Sequence, residues 1–166
     1  MSRLQMALDQ LRFARRYTLK LLDHTREEDW CRIPSAGVSH IAWQVGHLAF
    51  AEYRLVLERV RGPRPEDEAL VSEAFQAGFR RLTTAAADPK LYPAPAELRE
   101  TLRRVHEQAL SEAERLSEPE LDEPGRWPHP VAVTKFDSLI WCVQHELTHA
   151  GQIGLLRRQL GYEPLW

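Results

Sequence analysis

Residues 134–161, TKFDSLIWCVQHELTHAGQIGLLRRQLG, read as one uninterrupted helix, and the rest of the chain is organised around it. Thr134 and Asp137 have the spacing of a capping box, in which each side chain accepts a backbone N–H that the first turn leaves free. Gly161 is a natural stop, and Arg157 and Arg158 stand where they complement the negative end of the helix dipole. In between, Trp141, Cys142, His145, His149, Ile153 and Leu156 recur at helical spacing and are apolar apart from the two His. Such a stripe predicts a face turned into a helical bundle.

Working outward, residues 3–25 place Leu4, Ala7, Leu11, Ala14, Thr18 and Leu21 on one face, with Arg, Lys and Asp on the others. TREEDWCRIPSAGVS breaks that period, punctuated by Pro34 and Gly37. A second helix is expected from a cap at Ser39 to about Val60, where RGPRP ends it. His40, Trp43, His47, Phe50, Arg54 and Leu57 share one of its stripes. The stretch to Pro95 is the least regular: EALVSEAFQAGFRRL suggests a short helix, and AAADPKLYPAP a loop. Pro95 suits the first turn of a third long helix, whose buried face is marked by Leu98, Leu102, Val105, Ala109 and Leu116. SEPELDEPGRWPHPV is a Pro-rich loop before Thr134. No segment alternates as a strand and no repeat of 20–50 residues occurs. The expected fold is all-α, a four-helix bundle with long connections forming a single domain over residues 1–166.

Composition narrows the function. With 166 residues, 43% of them apolar, the chain can bury one ordinary core. Lys plus Arg total 22 against 24 Asp plus Glu, a formal charge of -2 with the basic residues scattered among acids. That balance lacks the positive field a nucleic-acid binder needs, so neither DNA nor RNA is expected as a partner. Cys31 and Cys142 are too few for a disulfide framework and form no C-x-x-C pair. The amphipathic N-terminus is no signal peptide, and no run of eighteen apolar residues suggests a membrane span. A cytoplasmic protein without a membrane partner is expected.

The histidines carry the chemistry. His145 and His149 lie one turn apart, about 6 Å along the axis, and can converge on one metal ion. His47 is the third candidate. It sits between Trp43 and Phe50 on the buried stripe of its helix, with Gly46 beside it to admit a close neighbour. Three neutral imidazoles suit zinc or nickel first, then iron or manganese, and leave a coordination position open. His40 lies about 10.5 Å along the axis from His47, too far to share an ion. His24, His106 and His129 read as ordinary helix-end, core and loop residues.

WQVGHLAFAEY, followed near the C-terminus by HELTHAGQIGLLRRQLG, resembles the DinB/YfiT-like superfamily of bacterial four-helix-bundle metalloproteins. The resemblance spans essentially the whole chain, and the run H…GQI…RR…G is its most telling part. It implies a divalent metal held by His47, His145 and His149. It also implies a metal-dependent enzyme, an S-transferase using a low-molecular-weight thiol such as bacillithiol or mycothiol, or a related hydrolase. A small-molecule thiol or electrophile would then be its partner.

H-E-x-x-H is also the zinc-peptidase pattern, with Glu146 as base. Against that reading, no His follows at the metzincin spacing, and Glu163 is the sole carboxylate available downstream. A ferritin-like di-iron site fails too, since Gln44 stands where a second E-x-x-H motif needs Glu. Glu146 and Gln152 are the candidate catalytic groups beside a metal, Trp43 a further neighbour, and Cys142 a candidate fourth ligand. The other alternative is a non-catalytic, metal-binding stress-response module. Gly151 and Gly154 are expected to allow close helix packing, and exposed Leu165 and Trp166 hint at a homodimer.

Overall fold

The computed structural model describes residues 2–35, 39–80 and 83–166. Gly37, and the end of the expected short helix at Arg81 and Leu82, lie outside the described residues. Helix α1 runs Arg3–Asp23 behind a Ser2 cap. Helix α2 runs Ile41–Glu52 and continues through a π-helical stretch, Tyr53–Glu58, and a last turn, Arg59–Arg61. Helix α3 is short, Glu73–Phe79; α4 runs Pro95–Ala113, α5 is a four-residue turn at Glu118–Leu121, and α6 runs Lys135–Gln159. The four long helices form the bundle: α1 and α2 pack on α6, and α4 packs on α2. No strand occurs among the described residues beyond an isolated bridge, Pro124 to Thr134, and none of their helices is long and apolar enough to cross a membrane.

The ends of α6 follow the local chemistry. Thr134 Oγ1 accepts from Asp137 N at 3.0 Å, and the Asp137 carboxylate accepts from Thr134 N at 2.9 Å. Gly161 takes φ +92° after the last turn. Arg157 departs from expectation: instead of serving its own helix end, it is buried against α1. It donates to Thr25 Oγ1 at 2.8 Å and to the His24 carbonyl at 3.1 Å, so it satisfies an orphan carbonyl of α1.

The cap of α2 also differs. Ser39 is not the cap; His40 is, its Nδ1 accepting from Trp43 N at 3.1 Å while Nε2 donates to the Ala86 carbonyl at 3.0 Å. His40 therefore precedes the helix rather than riding on its stripe. Gly46 does admit a close neighbour, since a Cβ there would overlap the Phe79 ring of α3. Gly151 and Gly154 do not serve close packing. Nothing lies within 4 Å of a Cβ built at Gly151, and at Gly154 the nearest atom is Leu21 at 4.0 Å. The Pro-rich stretch contains α5, begun by Ser117, whose N–H meets Glu120 Oε2 at 2.8 Å. At the C-terminus Leu165 is half-buried on the core, whereas Trp166 is 61% exposed and leans on Tyr17.

The largest departure is in the core. Arg15, read as a surface residue of α1, is buried at the centre of the bundle. Its Nε and Nη2 donate to the two oxygens of Glu146 at 2.7 and 3.2 Å, and Nη2 reaches Glu52 at 2.7 Å. Nη1 meets the Leu102 carbonyl at 2.6 Å, and His106 Nδ1 bonds Glu52 at 2.7 Å. Burial of such charges is tolerated because every one is paired.

Candidate metal centre

His47, His145 and His149 come together where the middle of α2 meets the middle of α6. Each offers a ring nitrogen within 4.8 Å of the others. Ring centroids are 5.2 Å apart for His47–His145, 4.7 Å for His47–His149 and 4.4 Å for His145–His149.

Two of the rings meet oxygen acceptors, one a backbone carbonyl and the other a side-chain amide oxygen. His47 Nδ1–H donates to the Phe79 carbonyl at 2.7 Å, and His149 Nδ1–H donates to Gln44 Oε1 at 2.5 Å. In each the proton is held on Nδ1 and the Nε2 lone pair is left for a ligand. Trp43 lies flat on His47, centroids 4.7 Å apart and planes within 8°, and is itself anchored by Nε1 donating to Thr83 Oγ1 at 2.8 Å. Burial keeps all three rings neutral. It pushes His149 down to about 3 and His145 down to about 4, helped in both by the neighbouring imidazoles, and lowers His47 as well. Three neutral imidazoles, two of them oriented by hydrogen bonds, are the donor set that a divalent d-block ion takes.

The other candidates lie elsewhere. Glu146 is 2% exposed and both its oxygens are held by Arg15, so it is no base beside the cluster. The reason is helical geometry: it follows His145 directly, about 100° around the axis, and that rotation carries it to the core. Cys142 faces the same ion-pair network. Burial, with Glu52 and Glu146 nearby, holds its thiol well above the ordinary range, and it is not part of the ligand group. Gln152 and Glu163 are exposed, and Glu163 is outside that group.

Gln44 is the residue that sequence reasoning missed. In the sequence it reads as a missing Glu, yet three positions before His47 on one helix it shares the His face, and that spacing is the available signal. The Phe79 carbonyl had no signal in the sequence.

His145 opens onto a cleft of about 680 Å³ walled by Phe50, Trp127 and Trp141, with Arg80 and His129 also lining it. His129 is a loop residue, as expected, and its ring is held by the backbone. Its Nδ1 accepts from Val131 N at 3.2 Å and from Ala132 N at 3.0 Å.

A family model described as the DinB superfamily matches residues 10–153, which include all three His. Among solved structures, a conserved protein from Enterococcus faecalis superposes with a TM-score of 0.73 at 16% identity, covering 98% of this chain and 99% of that one. That likeness is one of fold. No curated protein matches the sequence.

Proposed function

Because the chain belongs to the DinB superfamily, we propose that it is a metal-dependent enzyme acting on a small molecule, with His47, His145 and His149 as the ligands. The neutral three-imidazole cluster, with His145 lining an adjoining cleft, carries this reading. Zinc or nickel suits such a donor set best, with iron or manganese after them. When bound, the ion supplies a Lewis-acid centre that lowers the pKa of a thiol or water and so makes a nucleophile available at neutral pH. Transfer of a low-molecular-weight thiol to an electrophile is the first reaction class, and a related hydrolysis the second.

The protein's own residues do the arranging. Gln44 and the Phe79 carbonyl hold the His149 and His47 protons on Nδ1, so neither ring must lose a proton to become a ligand. Trp43 shields one face of His47 from water. Three neutral imidazoles would leave the charge of a bound ion uncompensated, which would favour an anionic or ionisable reactant. Peptidase chemistry is set aside, since Glu146 has both oxygens engaged by Arg15.

Elemental analysis of protein purified without a nickel column tests the site. One divalent ion per chain in the wild type, lost in His47→Ala, is expected, followed by turnover of a thiol–electrophile pair by the loaded protein. Metal retained by His47→Ala would overturn the ligand set. Metal without turnover across a panel of thiols and electrophiles would favour a non-catalytic module.

A further inference from the structure

The cleft beside His145 has features that the metal reading does not use. Its apolar walls are flat: Trp127 and Trp141 each lie 5.9 Å from the His129 ring, and Phe50 also faces the same space of about 680 Å³. The loop bearing Trp127 and His129 is held in place rather than draped. Arg59 donates to the Ala132 carbonyl at 2.7 Å and to the Val133 carbonyl at 3.2 Å, and Gly125 leaves the room its guanidinium needs.

The two backbone N–H groups on His129 Nδ1 can only donate, so that nitrogen must be the acceptor and the ring's proton sits on Nε2. His129 thus lines the cleft as a hydrogen-bond donor whose tautomer is set by the backbone. Two arginines line it as well. Arg54 is already engaged, paired with Glu58 at 2.5 Å and stacked over Trp127 at 4.8 Å. Arg80 has no ion-pair partner among the described residues. Glu73 is the carboxylate that also lines the cleft, and its backbone N–H meets Glu68 at 3.2 Å while its own side chain makes no ion pair among the described residues.

We propose that this cleft binds an organic monoanion, a carboxylate on a flat aromatic body, with His129 Nε2–H and Arg80 meeting the acid group and Trp127 and Trp141 the ring. A single negative charge has two groups to meet it, the Arg80 guanidinium and the His129 N–H; a phosphate dianion would add a second negative charge beside Glu73 with no further unpaired cation among the described residues to offset it. Aromatic walls select a flat body over an aliphatic chain of equal area, because offset stacking adds to simple burial. The proposal rests on the reading of His145 as a metal ligand, since that ligand puts the bound acid beside the reacting centre.

Calorimetric titration of the zinc-loaded full chain with 2-naphthoate, and separately with neutral 2-naphthamide, tests it. The zinc content of the same sample is measured alongside. One-to-one binding is expected, with naphthoate at least about tenfold tighter than the amide, the scale of one hydrogen bond to a charged group. Arg80→Gln and His129→Phe should each remove about that factor for naphthoate and leave the amide unchanged. Equal affinity for acid and amide, or unchanged naphthoate affinity in either folded variant, overturns the proposal. Should His129→Phe fail to fold, Arg80→Gln decides alone. Zinc bound without acid selectivity would sink this inference and leave the metal centre standing. Acid selectivity lost in the variants but present in protein that takes up no zinc would do the reverse.

Discussion

At the scale of single residues, Gln44 matters most after the three His. Its Oε1 takes the His149 Nδ1 proton at 2.5 Å, which sets the ring's orientation and leaves Nε2 for a ligand. Gln44→Leu keeps the size and removes the acceptor. It should weaken zinc binding by about 10–100-fold, read by competition with a chromophoric chelator. An unchanged affinity would mean that packing alone orients His149. Glu146 teaches the complementary point. In the H-E-x-x-H pattern it invites a role as base, but a side chain's work depends on where the helix turns it, and here Arg15 holds it in the core.

At the scale of elements, glycines separate contacts that look alike in sequence. Gly46 in α2 and Gly151 in α6 both sit beside a candidate ligand pattern. A Cβ at Gly46 would overlap Phe79, whose carbonyl holds His47, whereas one at Gly151 meets nothing within 4 Å. Gly151→Ala should therefore raise stability by about 0.5–1 kcal/mol, the helix-propensity gain, in urea unfolding of the metal-free protein. Gly46→Ala should lower it, by about 1–3 kcal/mol for an overpacked contact, and should loosen zinc binding along with it. Opposite signs test the packing; the same sign for both would refute it. The π-helical stretch Tyr53–Glu58 is the other element-level feature. It re-registers α2 just past Phe50, so a stripe drawn at constant period from His40 to Leu57 could not hold throughout.

At the scale of the whole molecule, distant segments are tied through buried charge. Asp29, in the connection after α1, meets the Tyr162 hydroxyl, Arg32 at 2.7 Å and Arg26 at 3.0 Å, joining the first interhelical segment to the C-terminal tail. The Tyr162 hydrogen bond first, then Arg32 and Arg26, hold its carboxyl down at about 2 from an ordinary value near 3.8. The folded pKa is depressed, so the contribution is complete above about pH 4 and is lost as the pH falls through about 2. Asp29→Asn should lower stability at neutral pH and flatten the stability curve between about pH 4 and pH 2, measured by urea unfolding across that range. A variant with the same acid limb as the wild type would show that Asp29 is not its source.

The four long helices, the capping box at Thr134, the stop at Gly161 and the pairing of His145 with His149 on one face were legible from residue order alone, because each is a matter of spacing within one helix. Residue order also offered His47, between Trp43 and Phe50 on a buried stripe, as a third candidate once the pair on the last helix and the resemblance were taken with it. Relations between helices became visible only in the folded molecule. Arg15 with Glu52 and Glu146, Gln44 with His149, the Phe79 carbonyl with His47, and His129 in the cleft are all contacts across elements. Their partners lie tens of residues away, so no local period records them, and a charged side chain at the edge of an apolar stripe reads as solvent-facing until its partner is in view.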